Sequence, residues 1–166
     1  MISASANGAT KISRLSSPEL EILKSLIQSS LPTKNSPKLF ASSAKLMSEQ
    51  EENLETALPS EAPGFQLLSS SPIFCAETED SNLLNAQLAL NFFLPFDTEM
   101  SALGVGLHWK QQDLDQISSQ LTKLIKSCQF RVSQVQMIDE NNASLSLLAI
   151  QDPQTDEVLL VGFIWK

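Results

Sequence analysis

Between Asp113 and Cys128 the apolar residues Leu114, Ile117, Leu121, Leu124, Ile125 and Cys128 recur at intervals of three and four, the spacing of one helical face. This predicts a helix with Asp113 as its N-cap, Gln116 completing a capping box, and Lys123 and Lys126 in the final turns, where the dipole favours cations. On both sides the period changes to two. Residues 86–94 set Leu88, Leu90, Phe92 and Leu94 against Gln87, Ala89, Asn91 and Phe93, although residues 83–90 also fit a helix. Residues 102–109 set Leu103, Val105, Leu107 and Trp109 against Gly104, Gly106 and His108. Two glycines on one strand face suggest close approach of another element.

Downstream, residues 130–138 read as a strand whose phase changes. Phe130 and Val132 share one face, Val135 and Met137 the other, which a bulge at Ser133 and Gln134 would repair. A turn at Asp139 to Asn142 leads into a strand over residues 145–150, a loop over 151–156 and a last strand over 157–165. The run VLLVGFIW is apolar on both faces, as expected of a central strand covered on both sides or of an interface strand. Upstream, residues 65–68 and 73–76 suggest short strands separated by Ser69, Ser70, Ser71 and Pro72. The expected fold class is α+β: a β-β-α-β-β-β body with a mostly antiparallel sheet, because its connections are short, covered by one amphipathic helix.

The N-terminal third has a different texture. Residues 1–15 are small and polar, and disorder is expected there. Ser17 can cap a helix over residues 18–30, Pro18 suits its first position, and Glu19 and Glu21 favour its positive end. Leu20, Leu23, Leu26 and Ile27 form its apolar stripe. At about 13 residues such a helix is marginal alone in water and must dock, on its own body or on a partner. Residues 32–47 read as linker, residues 49–58 as a short, weakly attached acidic helix capped by Ser48, and PSEAPG (59–64) as a boundary. The expected division is a flexible region over residues 1–63 and a globular domain over 64–166.

Composition supports that division. Of the ten aromatic residues only Phe40 precedes position 65, while five of the eight prolines do. Charge is partitioned too: residues 1–47 carry a net +4, residues 48–80 a net −8 and residues 81–166 a net −4. The total of −8 argues against nucleic acid as the main partner, which requires concentrated Lys and Arg. No apolar run approaches a membrane span, and no signal peptide is evident, so a soluble cytoplasmic protein is expected. Cys75 and Cys128, the only cysteines, suit a reducing compartment as two free thiols, with one disulfide as the alternative.

Candidate chemistry is sparse. His108 is the only histidine, too little for a triad or a typical zinc site. Acids around Cys75 would raise its thiol pKa, and Cys128 falls on the apolar face of the central helix, as a core residue. Glu77, Glu79, Asp80, Asp139 and Glu140 do not match a calcium loop, and no phosphate-binding or nucleophile motif is present. No catalytic, cofactor-binding or metal residue is therefore expected, and no cofactor.

Small size, acidity and an α+β plan resemble bacterial secretion chaperones. The run from residue 84 to 137, two strands followed by a helix and a strand, resembles the C-terminal domain of hook- and needle-length control proteins. Neither resemblance rests on a motif. The expected function is a non-enzymatic protein–protein interaction or assembly subunit, with Leu20, Leu23, Leu26, Ile27, Phe163 and Trp165 as candidate partner-binding residues. A homo-oligomer is compatible with this. The alternatives are an acidic secretion-type chaperone or secretion-apparatus accessory protein, and a small-ligand-binding or enzymatic domain with a pocket near His108.

Overall fold

A computed structural model describes residues 9–12, 14–30, 38–46, 54–73, 78–90 and 110–165. Among these residues ten elements follow in order: β1 (Ala9–Lys11), α1 (Pro18–Ser30), β2 (Lys38–Leu46), α2 (Leu54–Ala57), β3 (Gln66–Ile73), α3 (Glu79–Leu90), α4 (Gln111–Ser127), β4 (Arg131–Ile138), β5 (Ser144–Asp152) and β6 (Glu157–Trp165). The strands form one six-stranded sheet in the order β1-β2-β6-β5-β4-β3. Every pairing is antiparallel, so the α+β class with an antiparallel sheet holds.

The last strand lies at the centre of the sheet. Its register runs Lys38↔Ile164 to Lys45↔Glu157 against β2, and Ser144↔Trp165 to Asp152↔Glu157 against β5. Leu159, Val161 and Phe163 enter one core with α1 and α4, while Val158, Leu160 and Ile164 enter a second core on the opposite face. Both faces are dry, so the continuous apolar run is satisfied. Gly162 stands opposite Phe40 in the ladder, and a Cβ there would meet the Phe40 ring and, at 2.9 Å, Leu145 Cδ1. The glycine is what lets the aromatic ring lie across the strand.

Several sequence expectations are corrected. The region over residues 32–47 is not linker in its described part: residues 38–46 form β2, which pairs with β6 along eight residues. Alanines and serines interrupt the apolar alternation of KLFASSAKL, which hid a strand whose partner lies more than a hundred residues away. The helix over residues 18–30 packs on the protein's own sheet, with Leu20, Leu23 and Ile27 fully buried. The described residues 9–12, 14–30 and 38–46 are thus part of the same body, and the expected boundary at residue 63 does not separate it from a flexible region. Around that boundary Leu54, Ala57, Leu58, Ala62 and Phe65 are buried in the second core, so α2 is not a weakly attached surface element.

The single covering helix becomes three on one face: α4 packs against both α1 and α3. Where residues 86–94 alternate like a strand, the described part, residues 86–90, belongs to α3. The alternative helical fit over residues 83–90 therefore agrees with the structure. Thr78 caps α3, its hydroxyl accepting from Ser81 N–H at 3.2 Å. The alternating stretch at residues 102–109, with His108, lies outside the described residues.

At α4 the apolar face is as expected, with Leu114, Ile117, Leu121, Leu124 and Ile125 buried, but both ends differ. Lys110 occupies the N-cap without a side-chain cap bond, and Asp113 sits in the first turn rather than capping. Cys128 is exposed at the C-cap with φ 59°, not in the core. The left-handed conformation turns its side chain off the buried stripe. Strand β4 has no bulge, since Arg131 to Ile138 pair with β5 without interruption. Its phase change reflects two covered faces: Val132 points to the helix-side core, Val135 and Met137 to the other. The irregularity lies instead in β3, between Leu67 and Ser69, and β3 is one strand through the serines and Pro72. Its edge position tolerates that proline.

Candidate functional site

The expected partner-binding residues are placed mostly in the interior. Leu20, Leu23, Ile27 and Phe163 are at 0 % exposure, and Leu26 is partly buried against the same core. Burying each such side chain contributes roughly 1.5–3 kcal/mol to folding, so these residues hold α1 to the sheet in the described structure. Trp165 pairs with Ser144 at the end of β6, and its side chain is outside the described residues.

Exposed apolar surface occurs elsewhere. Among the described residues the exposed large hydrophobics are Ile22 at 47 %, Leu68 at 66 %, Leu84 at 67 % and Leu88 at 52 %. Leu84 and Leu88 stand four residues apart, on one face of α3. This helix packs against α4 through its opposite side, where Ala89 is fully buried. Gln134 of β4 donates from Nε2 to the Leu88 carbonyl at 3.1 Å, tying the end of α3 to the sheet beside β3. Leu68 lies on β3 at the register irregularity. Three of the four exposed aliphatic side chains are therefore contributed by two elements at the same end of the strand order. Sequence reasoning missed Leu84 and Leu88 because a strand phase placed Leu88 on an apolar face. Their spacing of four residues was the available signal.

Among the described residues a polar arrangement joins the start of α1 to β6. Glu157, 4 % exposed, accepts from Ser16 N–H at 2.7 and 2.9 Å and from Ser17 N–H at 3.0 Å. Burial by itself pushes its carboxyl upward. The hydrogen bonds from Ser16, Ser17 and Thr155 together outweigh burial and hold it below the usual carboxylate value. From α1, Lys24, 5 % exposed, donates to Ser43 Oγ of β2 at 2.9 Å, and that hydroxyl donates to the Ile12 carbonyl at 2.8 Å. Gln120 Nε2 donates to the Glu19 carbonyl at 3.2 Å and ties α4 to the start of α1. These contacts position elements; none pairs a nucleophile with a base.

Two depressions lie at opposite edges of the sheet. One of about 590 Å³ is lined by Pro63, Gly64, Gln66 and the turn Ile138 to Asn141. Asp139 Oδ1 accepts from Asn141 N–H at 2.9 Å and Ala143 N–H at 2.8 Å, which makes it a turn-forming carboxylate. The other, of about 330 Å³, lies along β2. Among the described residues no group of three or more His, Cys, Asp or Glu is placed to hold a metal ion. His108 and Cys75 lie outside the described residues. Cys128 is disulfide-bonded, so the alternative of one disulfide agrees with the structure and two free thiols do not, and the chain has one other cysteine, Cys75. No described helix is long and apolar enough to cross a membrane.

No protein-family model, no curated protein and no solved structure matches the chain.

Proposed function

We propose that this chain is a non-enzymatic interaction or assembly subunit that binds a protein partner through the outer face of α3. The observation that carries this is the pair of exposed leucines on one face of α3: Leu84 and Leu88 are each more than half exposed. Such residues cost solubility unless a partner covers them. The acidic net charge of −8 supports a protein partner over nucleic acid. The disulfide at Cys128 supports work in an oxidising compartment over the cytoplasmic location expected from the sequence.

The test is the double substitution Leu84→Ser and Leu88→Ser. Both positions are exposed, so the melting temperature should stay within about 4 °C of wild type, two surface substitutions being worth about 1 kcal/mol or less together. Partners cross-linked to the wild-type chain should be captured at least tenfold less by the variant. Equal capture would refute the assignment of this face. A stable homodimer broken by the same substitutions would make the partner a second copy, the arrangement that the secretion-chaperone alternative requires.

A further inference from the structure

We propose that the outer edge of β2 is a strand-addition site for an extended acidic peptide of a partner protein. Among the described residues the sheet does not close at this edge. Strand β2 runs nine residues, but β1 pairs only with Ala44, Lys45 and Leu46, and Ile12 N–H adds one bond to the Ser43 carbonyl. No described strand pairs with the outer side of residues 38–42, roughly 17 Å of edge. The direction of the backbone groups follows from the ladder. Ser43 faces β1, and Leu46 N–H donates to the Asp156 carbonyl on the β6 side, so Leu39 and Ala41 face outward.

The edge is also shaped. The groove of about 330 Å³ has Ala41, Ser42 and Ser43 as its floor, with Lys24 and Gln28 of α1 on one side and Ala57 with Pro59 on the other. A floor of strand backbone between two walls is the geometry in which an added strand is read by its main chain and by alternate side chains. Gln28 already imitates such a strand at one position, donating from Nε2 to the Ala41 carbonyl at 2.9 Å. On the other side of the floor the Ser42 hydroxyl is buried and has no hydrogen-bond partner. Charge selects the occupant: β1 and β2 carry Lys11, Lys38 and Lys45 and no acidic residue, in a chain of net charge −8. An acidic extended segment therefore gains main-chain bonds at Leu39 and Ala41 and favourable charge along the edge.

This surface lies at the other end of the strand order from the α3 patch, and its test is separate. The full chain is titrated into a labelled eight-residue peptide of alternating glutamate and valine, and into its lysine–valine counterpart. The acidic peptide should bind saturably and at least tenfold more tightly. Ala41→Pro removes an outward N–H without removing a bond to β6, and should weaken binding at least tenfold. Gln28→Ala frees the Ala41 carbonyl and should strengthen it. Leu84→Ser with Leu88→Ser should leave it unchanged. If Ala41→Pro fails to fold, hydrogen exchange on the wild-type chain decides, because the peptide should slow the Leu39 and Ala41 amides. Equal affinity for the two peptides, no binding to wild type or Gln28→Ala, binding unaffected by Ala41→Pro, or protection elsewhere would overturn the proposal. A homodimer lost in Ala41→Pro would overturn it in favour of a second copy.

Discussion

Glu157 keeps a buried charge because two backbone N–H groups reach it from Ser16 and Ser17, about 140 residues away in sequence. Its lowered pKa carries a definite sign for stability. The contribution is complete above the usual value of 4.5 and is lost as pH falls through the lower folded value, when the carboxylate takes up its proton. Glu157→Gln should therefore cost about 2 kcal/mol at pH 7, the scale of hydrogen bonds to a charged group. The gap between wild type and variant, read from denaturant midpoints, should close as pH drops below that value. A gap independent of pH between 3 and 7 would show that the carboxylate charge is not what holds the Ser16–Ser17 turn. Nothing local in EVLLVGFIW marks this role for its glutamate, because the partners are backbone groups brought over by the fold. Gly162 was equally silent, since the residue that requires it is Phe40 on a strand that the hydropathy pattern does not display.

At the scale of elements, legibility followed the contrast between faces. Helix α4 has one dry and one wet face, and its stripe could be read directly. Strand β6 is dry on both faces, and its continuous apolar run indicated a central position. Elements with little contrast were misread. Strand β2 buries Ala44 and Ser43 where larger residues would advertise a strand, and β3 is an edge strand with serines along its length. Helix α3 exposes Leu84 and Leu88 and buries Ala89, which inverts the expected relation between size and burial. Cys128 was misplaced for a conformational reason, its positive φ at the end of α4. Its disulfide joins that helix end to another part of the chain, and Cys75 is the one other cysteine. A bond between them closes roughly 50 residues and should stabilise the fold by about 4 kcal/mol on chain-entropy grounds. Non-reducing peptide mapping of protein from its native source should recover a Cys75–Cys128 cross-linked peptide. Two alkylatable thiols in the denatured, unreduced chain would contradict this, and with it the oxidising compartment.

For the whole molecule, the order of the strands decides what is one unit. The first two strands occupy one end of the sheet, and β2 lies against the last strand in the sequence, so the chain's beginning closes onto its end. Composition pointed the other way: aromatics cluster after residue 65 and prolines before it, a contrast that reflects small side chains in β1 and β2 rather than independence from the core. Docked α1 covers Leu159, Val161 and Phe163, and α2 with the chain after it covers the second face. The α3 patch and the β2 edge then stand at opposite ends of a single sheet, which would let one body hold two partner segments at once. The most direct measurement is the folding of a chain lacking residues 1–46. Without β1, α1 and β2 it should lose cooperative unfolding and expose the apolar faces of β6. A cooperative transition with a midpoint near that of the full chain would contradict the account and restore an independent domain beginning near Phe65.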